Sequence, residues 1–517
     1  MNMVLLWLIV YFVVVLGIGL YTKRRGIAET LEGYLLGGRR IGAPVTALTL
    51  QSTSMSGYMF LGAGSISYTT GYWGVWYAAG DIGGGIVNLS IIGRRMRKLS
   101  KILGSLTSIE YLEHRYPHPS IRIVAGGISI FFMMLYVFAQ FIAGGKGLAL
   151  VANIPYEYAL IIAVAIILTY TILGGYFAVA WTDFFQGLVM VTGILIILFA
   201  SISYLGGFTA ANQSLARIDP TYLSIWGKDL AYKGKWGIVA GAVLIWSIGY
   251  MGWPHVVVRH MAMTKPTTAR MAGAYSTLWN ILFVTSPYIV GILAIVAIPT
   301  LADPEMAIFE MAYLLLPAIL VGFVMAAIMA AIMSTADSLL LQSGSIASRD
   351  IYQRFINPKA TDKQMVWASR VLVLAIGIIG IIVALVQPPG VFALVVFASG
   401  VLGDAFLPAY VCAAYWKKAN WPGALASFIG GAITNVVWTT QNLDMPTGLH
   451  PFFAGLIVSS ILIIIVSLAT QKSHPNPPEV LRAVDEAIKV GPIPRSIEKR
   501  SAESLHPEAR GVSTTLK

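Results

Sequence analysis

The sequence is poor in cysteine and in charged residues. Cys412 is the single cysteine, which excludes a disulfide framework and a cysteine-based metal centre. Charged residues make up 11% of the 517 residues, whereas soluble domains carry about 25%. A phosphate-binding glycine loop after a strand pattern is missing, as are nucleophile–base pairs and metal-ligand clusters at active-site spacing. These absences argue against an ordinary soluble domain, a nucleotide-binding fold and an enzyme.

Long apolar runs dominate what is present, since 57% of the residues are hydrophobic. Many runs exceed the ~18 residues that a transmembrane helix needs, so we expect an all-α polytopic protein of the lipid bilayer with about thirteen spans. The first run lacks a basic flank and a cleavage site, and we interpret it as a retained span. The expected spans are 3–22, 43–65, 73–92, 122–151, 156–173, 182–204, 236–258, 271–298, 308–343, 366–386, 391–416, 421–440 and 451–470.

The net charge of +12 follows membrane topology and does not indicate a nucleic-acid partner. Basic residues cluster in alternate loops, and only the 206–235 loop departs from this alternation. The positive-inside rule then predicts a multi-pass protein of the plasma (inner) membrane with its N-terminus outside and its C-terminus in the cytoplasm. The cytoplasmic loops begin at Lys23, Arg94, Arg259, Arg349 and Lys417.

Two of the expected spans contain helix-breaking residues. Residues 51–57 read QSTSMSG and residues 246–254 read WSIGYMGWP. Such breaks are tolerated at membrane depth where they line a cavity or are buried in protein. The two segments lie five spans apart, which indicates an inverted-repeat transporter with a substrate site near the membrane midplane. The alternative is that their small residues serve close helix packing.

A polar face interrupts the apolar run at 329–341. Ser334, Asp337 and Ser338 share one face of a helix, and Thr335 lies beside them. Hydroxyl, carbonyl and carboxylate oxygens suit a hard cation such as Na⁺, and a carboxylate at membrane depth indicates an ion or substrate pathway. The alternative for the hydroxyls is that they bond to carbonyls of their own helix.

A set of motifs in order along the chain resembles the sodium/solute symporters, within them the sodium/proline and then the sodium/pantothenate symporters. The resemblance runs from Trp7 to about Thr470. The motifs that carry it are YLLGGRR at 34–40, SMSG at 54–57, GGYFAVAWTD at 174–183, GWPHVVVRHMA at 252–262 and AAIMST at 330–335.

The resemblance implies the five-plus-five inverted-repeat fold of the amino-acid/sodium symporters. One extra helix precedes the repeats and two follow them. The implied segments are an extra helix at 1–25, a first repeat at 42–205, an outer loop at 206–235, a second repeat at 236–416, two C-terminal helices at 420–470 and a cytoplasmic tail at 471–517. Within that tail, residues 478–489 could form a short amphipathic helix.

The resemblance also implies the binding sites. Sodium would be held by backbone carbonyls of Ser52, Met55 and Ala331 and by side-chain oxygens of Ser334 and Thr335. A second cation, Na⁺ or H⁺, is a hypothesis for Asp183, Asp337 and Ser338. The substrate-facing positions are Gln51, Ser54, Ser56, Gly57, Trp246, Tyr250, Trp253 and Pro254. The proline carrier has an acidic residue at the position of Ser54 and an amide at that of Trp253, and its cognates lack a carboxylate at that of Asp337.

Other polar residues in the spans have open roles. Asp81 and Asp404 could couple to a cation or form helix–helix hydrogen bonds. His255 and Arg259, at the inner end of the seventh span, could gate the pathway, but we expect an interface anchor. For Lys146 we expect snorkelling towards the outer interface.

Together these patterns predict a sodium-coupled symporter that imports a small organic solute by alternating access. Proline or a similar amino acid is the favoured solute, with pantothenate or a short monocarboxylate as alternatives. A solute sensor with a transporter-like domain is the hypothesis from another class. The sequence indicates no obligate protein partner.

Overall fold

The computed structural model describes residues 3–386 and 390–489. In these ranges the chain is helical, and strand-like pairing is limited to isolated bridges between Ile41 and Met263 and between Gly237 and Leu449. The helices are α1 Met3–Arg24, α2 Leu31–Leu36, α3 Ala43–Ser54, α4 Gly57–Phe60, α5 Gly62–Thr70, α6 Val75–Asn88, α7 Arg94–Ile102, α8 Ser108–Arg115, α9 Pro119–Ala152, α10 Tyr156–Tyr204, α11 Phe208–Ile218, α12 Trp236–Ser247, α13 Pro254–Ala262, α14 Thr268–Phe283, α15 Thr285–Ala297, α16 Ala307–Leu315, α17 Ala318–Ser345, α18 Asp362–Leu385, α19 Val391–Tyr415, α20 Trp421–Thr440, α21 Asp444–Thr447, α22 Pro451–Ala469 and α23 Pro478–Ile488.

Nine helical segments among the described residues are long and apolar enough to cross a membrane. The expected number of spans stays a prediction, because two of these segments, Gly57–Ile102 and Tyr156–Tyr204, each extend over two expected spans. Helix α10 has 49 residues, and its backbone leaves the helical conformation at Gly175, where φ is 58°. A straight helix of this length would measure about 73 Å, more than twice the ~30 Å of a hydrocarbon core. A Cβ at Gly175 would also lie 3.0 Å from the Tyr34 carbonyl oxygen, so the break depends on glycine.

Both predicted interruptions are present. Helix α3 ends at Ser54, Met55 and Ser56 leave the helical conformation, and α4 begins at Gly57. Helix α12 ends at Ser247 and is followed by a single 3₁₀ turn and an extended Trp253 before α13 begins. Each break therefore exposes backbone groups in the interior, as interrupted membrane helices do.

The two interrupted segments lie beside each other, with the start of the first against the end of the second. The Ile41 amide, before α3, donates to the Ala262 carbonyl at the end of α13 over 3.3 Å. The Thr264 amide returns a bond to the Ile41 carbonyl over 3.0 Å. The start of one broken segment thus lies against the end of the other, which is the arrangement of an inverted repeat.

Helix α17 runs through the middle of the protein. Every residue from Val324 to Ser345 is buried, and the helix packs against α1, α3, α9 and α10. Small residues permit this crowding, since a Cβ at Gly193 of α10 would lie 2.3 Å from the Ala327 Cβ. The predicted sodium-binding residues therefore lie in the most enclosed part of the fold.

The predicted amphipathic helix of the tail is present as α23. Its apolar face includes the buried Val480 and Val484, and Glu486 forms an ion pair with Lys98 at 3.6 Å. The remainder of the predicted tail, from residue 490, lies outside the described residues.

Candidate functional site

The first interrupted span and α17 meet through uncharged oxygen atoms. The Ser334 hydroxyl donates to the Ser52 carbonyl over 2.9 Å and lies 3.2 Å from the Ala331 carbonyl. The Thr335 hydroxyl donates to the Thr53 carbonyl over 2.7 Å and lies 3.3 Å from the Ala331 carbonyl. All five residues are fully buried. We call this group the hydroxyl cluster; its hard oxygen atoms match the ligands that alkali and alkaline-earth cations take.

The hydroxyl cluster brings together most of the predicted sodium ligands. Ser52, Ala331, Ser334 and Thr335 are in it, and the Thr53 carbonyl joins them. Met55 lies in the break itself, where its amide caps α3 through the Gln51 carbonyl. The alternative role for the hydroxyls, bonding to carbonyls of their own helix, is also present: Ser334 and Thr335 each contact the Ala331 carbonyl as well as a carbonyl of α3.

A second polar group lies further along the same two helices and carries charge. The Asp183 carboxylate accepts hydrogen bonds from Thr49 over 2.6 Å and from Thr53 over 3.1 Å. The Arg259 guanidinium forms an ion pair with the same oxygen at 3.2 Å and donates to Ser338 over 2.6 Å. We call these five residues the charged cluster.

The interface role expected of Arg259 and His255 is wrong. The side chain of Arg259 is 1% exposed, and it also donates to the carbonyl of His255 and to the Thr53 hydroxyl. His255 is fully buried and stacks on Trp253, with ring centroids 5.7 Å apart. Sequence position placed both near the end of a span, but the break before Pro254 shifts α13 into the protein interior.

Asp337 lies on α17 near the charged cluster but has a different partner. Its carboxylate accepts a hydrogen bond from the Tyr170 hydroxyl of α10 over 2.8 Å. Ser338, the next residue, faces Thr53 at 3.1 Å and Asp183 at 3.4 Å. Ser338 and Asp183 therefore lie together, whereas the hydrogen bond of Asp337 is to a residue of α10.

The predicted substrate-facing residues of the second interrupted span form an aromatic group. Trp246 and Trp253 pack edge to face with ring centroids 5.5 Å apart, and Tyr250 lies 4.5 Å from Trp253. Trp246 also stacks on Tyr58, just after the first break, with centroids 4.8 Å apart. Rings from both interrupted spans therefore meet, and all four residues are fully buried.

Side chains of α9 form hydrogen bonds with residues of the first break. The Gly57 amide donates to the Gln140 side chain over 2.9 Å, and the Tyr136 hydroxyl donates to Ser56 over 3.1 Å. Both amide atoms of Gln51 are buried and have no hydrogen-bond partner among the described residues. Ser54 donates to the Leu50 carbonyl of its own helix over 2.7 Å. Of these residues, Gln51 presents free polar atoms at the break.

Sequence reasoning missed several members of this region. Tyr58 and Tyr288 bond to each other through their hydroxyls, although they are 230 positions apart. Asp81 was named, with its role left open between a cation and a helix–helix hydrogen bond; it accepts a hydrogen bond from Tyr250 and so belongs with the aromatic group. In the sequence, Tyr58 follows a break and Asp81 lies among glycines, but neither feature predicts which distant residue it contacts.

Asp404 and Lys146 both have partners in the structure. Asp404 accepts a hydrogen bond from Asn435 of α20 over 2.7 Å, which is the helix–helix role left open for it. Lys146 was expected to snorkel, but it forms ion pairs with Asp303 at 3.0 Å and Glu305 at 2.8 Å. This connects α9 to the segment before α16.

The hydroxyl cluster offers oxygen atoms of two helices to a cation, and it lies close to the aromatic group. An ion among the hydroxyl cluster would bridge α3 and α17 without needing a buried counter-charge. The aromatic group begins within a few residues of the same break, so occupancy of one site can alter the other through the backbone of residues 54–57.

The chain is similar to known membrane transporters. The family model described as the sodium:solute symporter family matches residues 34–431. The chain is 31% identical over 470 residues to the osmoregulated proline transporter OpuE of Bacillus subtilis (strain 168), covering 90% of this chain and 94% of that protein. It is 30% identical over 478 residues to the sodium/proline symporter of Staphylococcus aureus (strain JH9), covering 90% and 92%.

Solved structures show the fold. A substrate-bound, outward-open Na⁺-coupled sialic acid symporter superposes with a TM-score of 0.73 at 18% identity, covering 91% of this chain and 98% of that one. The nucleobase-cation-symport-1 family transporter Mhp1 superposes with a TM-score of 0.54 at 15% identity, covering 87% and 97%.

Proposed function

The chain belongs to the sodium:solute symporter family, and on that premise we propose that its solute is proline or a similar small amino acid. It is a multi-pass membrane protein that couples the movement of a small organic solute to sodium. The names of its relatives support proline. The proposal is transport without chemical conversion of the solute, inward across the plasma membrane.

One observation carries the proposal: side-chain hydroxyls of α17 reach backbone carbonyls at the end of α3. In our proposal sodium replaces the Ser334–Ser52 and Thr335–Thr53 hydrogen bonds with ion–oxygen contacts, together with the carbonyls of Met55 and Ala331. Because the ion would contact both helices, it would stabilise the conformation in which they are adjacent. Sodium and solute then favour each other's binding through linkage.

The solute in this proposal contacts the two breaks. Trp246, Tyr250 and Trp253 supply ring surface, and Gln51 supplies amide atoms that are unpaired within the described part of the chain. The inverted repeats at 42–205 and 236–416 move against each other around this site. We also propose that the N-terminus is outside and the C-terminus cytoplasmic, as the basic loops predict.

A second cation is a further part of the proposal. It would lie at Asp183 and Ser338 with Asp337 nearby, where the guanidinium of Arg259 lies in this conformation. Since two cations repel at that distance, binding there requires Arg259 to move.

The test is the melting temperature of purified protein in NaCl and in KCl, with and without L-proline. We expect a sodium-specific rise that increases further with proline, because each ligand stabilises the state it binds. Pantothenate and a short monocarboxylate are tested in parallel. A sodium rise with no proline increment would assign another solute, and the absence of any sodium rise would contradict sodium binding at the hydroxyl cluster.

Uptake of labelled proline into proteoliposomes completes the test. Accumulation driven by an inward sodium gradient, and absent with an equal potassium gradient, is the expected result. A protein that binds proline but does not accumulate it would instead act as a sensor.

A further inference from the structure

Asp81 is a fully buried carboxylate that has no cationic partner among the described residues. One of its oxygens accepts a hydrogen bond from the Tyr250 hydroxyl. The other oxygen, Oδ2, has no hydrogen-bond partner within the described ranges. An unpaired carboxylate is costly inside a membrane protein and marks a functional position.

The neighbouring glycines hold Asp81 against the second interrupted span. A Cβ at Gly80 would lie 2.0 Å from the Val243 carbonyl oxygen, and one at Gly84 would lie 2.4 Å from the Trp246 carbonyl oxygen. Because these two glycines flank Asp81 within one helical turn, α6 contacts the backbone of α12 closely on both sides of the carboxylate. The packing therefore directs Asp81 to the break and not to lipid.

Aromatic rings surround the same place. Tyr250, which donates to Asp81, packs edge to face against Trp253 and lies 6.3 Å from Trp246. Trp246 stacks on Tyr58, whose hydroxyl bonds to that of Tyr288. Electron-rich ring faces next to a carboxylate are the surroundings in which proteins bind organic ammonium groups.

Three other buried aspartates, Asp183, Asp337 and Asp404, also have one carboxylate oxygen without a hydrogen-bond partner among the described residues, but they do not contact the aromatic group. Asp183 is paired with Arg259, and Asp404 accepts a hydrogen bond from Asn435. Asp337 accepts from Tyr170 of α10, away from the breaks. Asp81 is thus the carboxylate that contacts a residue of the aromatic group.

We propose that Asp81 and Tyr250 form a subsite for the ammonium group of the transported solute, with Trp246 and Trp253 covering its apolar part. This inference rests on the proposed function and refines it: the solute must carry a positively charged amine. The subsite would exclude anionic solutes that lack an amine, because these would face the carboxylate without compensation.

Competition against labelled proline in proteoliposomes tests this subsite. Pyrrolidine supplies the ammonium and ring without a carboxylate, and tetrahydrofuran-2-carboxylate supplies the ring and carboxylate without an amine. We expect pyrrolidine to inhibit uptake and tetrahydrofuran-2-carboxylate to inhibit far more weakly. The reverse order would overturn the proposal.

Variants separate binding from folding. We expect Asp81→Asn to raise the KM for proline about 10- to 100-fold, the range for loss of a charge-assisted contact. Tyr250→Phe should raise it less, because the carboxylate remains. Asp404→Asn is the matched control, a buried aspartate with an amide partner, and should leave KM within about threefold. The sodium-dependent rise in melting temperature without solute should persist in all three.

Two results would contradict the ammonium subsite. One is an unchanged KM for proline in Asp81→Asn. If this variant lost only the pH dependence of the maximal rate, Asp81 would be a proton carrier and not a solute contact. The other is a wild-type protein whose melting temperature is raised by solutes that carry a carboxylate but no amine, and not by solutes that carry an amine. If pyrrolidine but not proline raises the melting temperature in sodium, the proposed solute fails and the subsite stands.

Discussion

The hydroxyl cluster and the charged cluster are neighbours, and both include residues of α3 and α17, but their electrostatics differ. The first joins Ser334 and Thr335 to carbonyls and contains no formal charge. The second already contains an ion pair between Asp183 and Arg259. An ion can therefore leave the hydroxyl cluster without exposing a bare buried charge, whereas the charged cluster is neutral only while its arginine stays in place.

In our proposal, the two clusters therefore have different tasks. Uncharged oxygens bind a monovalent cation moderately, which suits an ion that must be released on every transport cycle. A buried ion pair contributes less to net stability than to specifying one arrangement, because desolvation offsets much of the attraction. The charged cluster therefore connects α3, α10, α13 and α17 in this conformation.

The largest expected effect comes from breaking the ion pair. In Asp183→Asn the guanidinium of Arg259 stays buried without its carboxylate, which costs about 3–5 kcal/mol of stability. The melting temperature in detergent should fall accordingly. Replacing both residues, as Asp183→Asn with Arg259→Met, should recover part of the loss, as a double-mutant cycle measures. A single variant as stable as the parent would show that the pair does not hold these helices.

Removing a hydroxyl from the other cluster should change sodium binding far more than stability. We expect Ser334→Ala to weaken sodium affinity about tenfold or more, because an ion ligand is lost. Sodium titration of the melting temperature measures this. Ser345→Ala is the matched control, since the hydroxyl of this buried serine of α17 donates to the Leu341 carbonyl of its own helix, over 2.6 Å. Equal sodium affinities in the two variants would place the ion elsewhere.

Asp337→Ala tests whether the charged cluster also takes a sodium ion or a proton. If it does, the Hill coefficient for sodium-driven uptake should fall towards one and the apparent affinity should weaken. The reason is that a nearby carboxylate lowers the energy of a second cation. An unchanged Hill coefficient and affinity would leave Arg259 as the only cation of this cluster.

The smallest effect is expected at Ser54, a hydroxyl in the same stretch that belongs to neither cluster. Its hydrogen bond to the Leu50 carbonyl is internal to α3. Ser54→Ala should change the KM for proline by less than about threefold. Ser56→Ala should raise it more, because Ser56 accepts from Tyr136 and caps the Tyr58 amide over 3.1 Å. Uptake kinetics of the two variants would separate these roles.

The family and the breaks were predictable because they depend on local composition and on motifs within short stretches. The contacts between distant residues that complete the sites were not. Asp183 and Arg259 are 76 positions apart, and Tyr58 and Tyr288 are 230 positions apart. Helical periodicity predicts which residues share a face, but it does not predict which other helix that face contacts.

By itself, the sequence determined that this protein crosses the membrane many times, where two spans break and which polar residues share one face of a helix. Apolar run length, glycine and proline placement and helical spacing suffice for these conclusions. Only the tertiary structure decided that Arg259 is buried against Asp183 and that Asp81 meets Tyr250 among aromatic rings. Such pairings follow from close approach between distant helices, which glycines such as Gly84 permit and which no local pattern encodes.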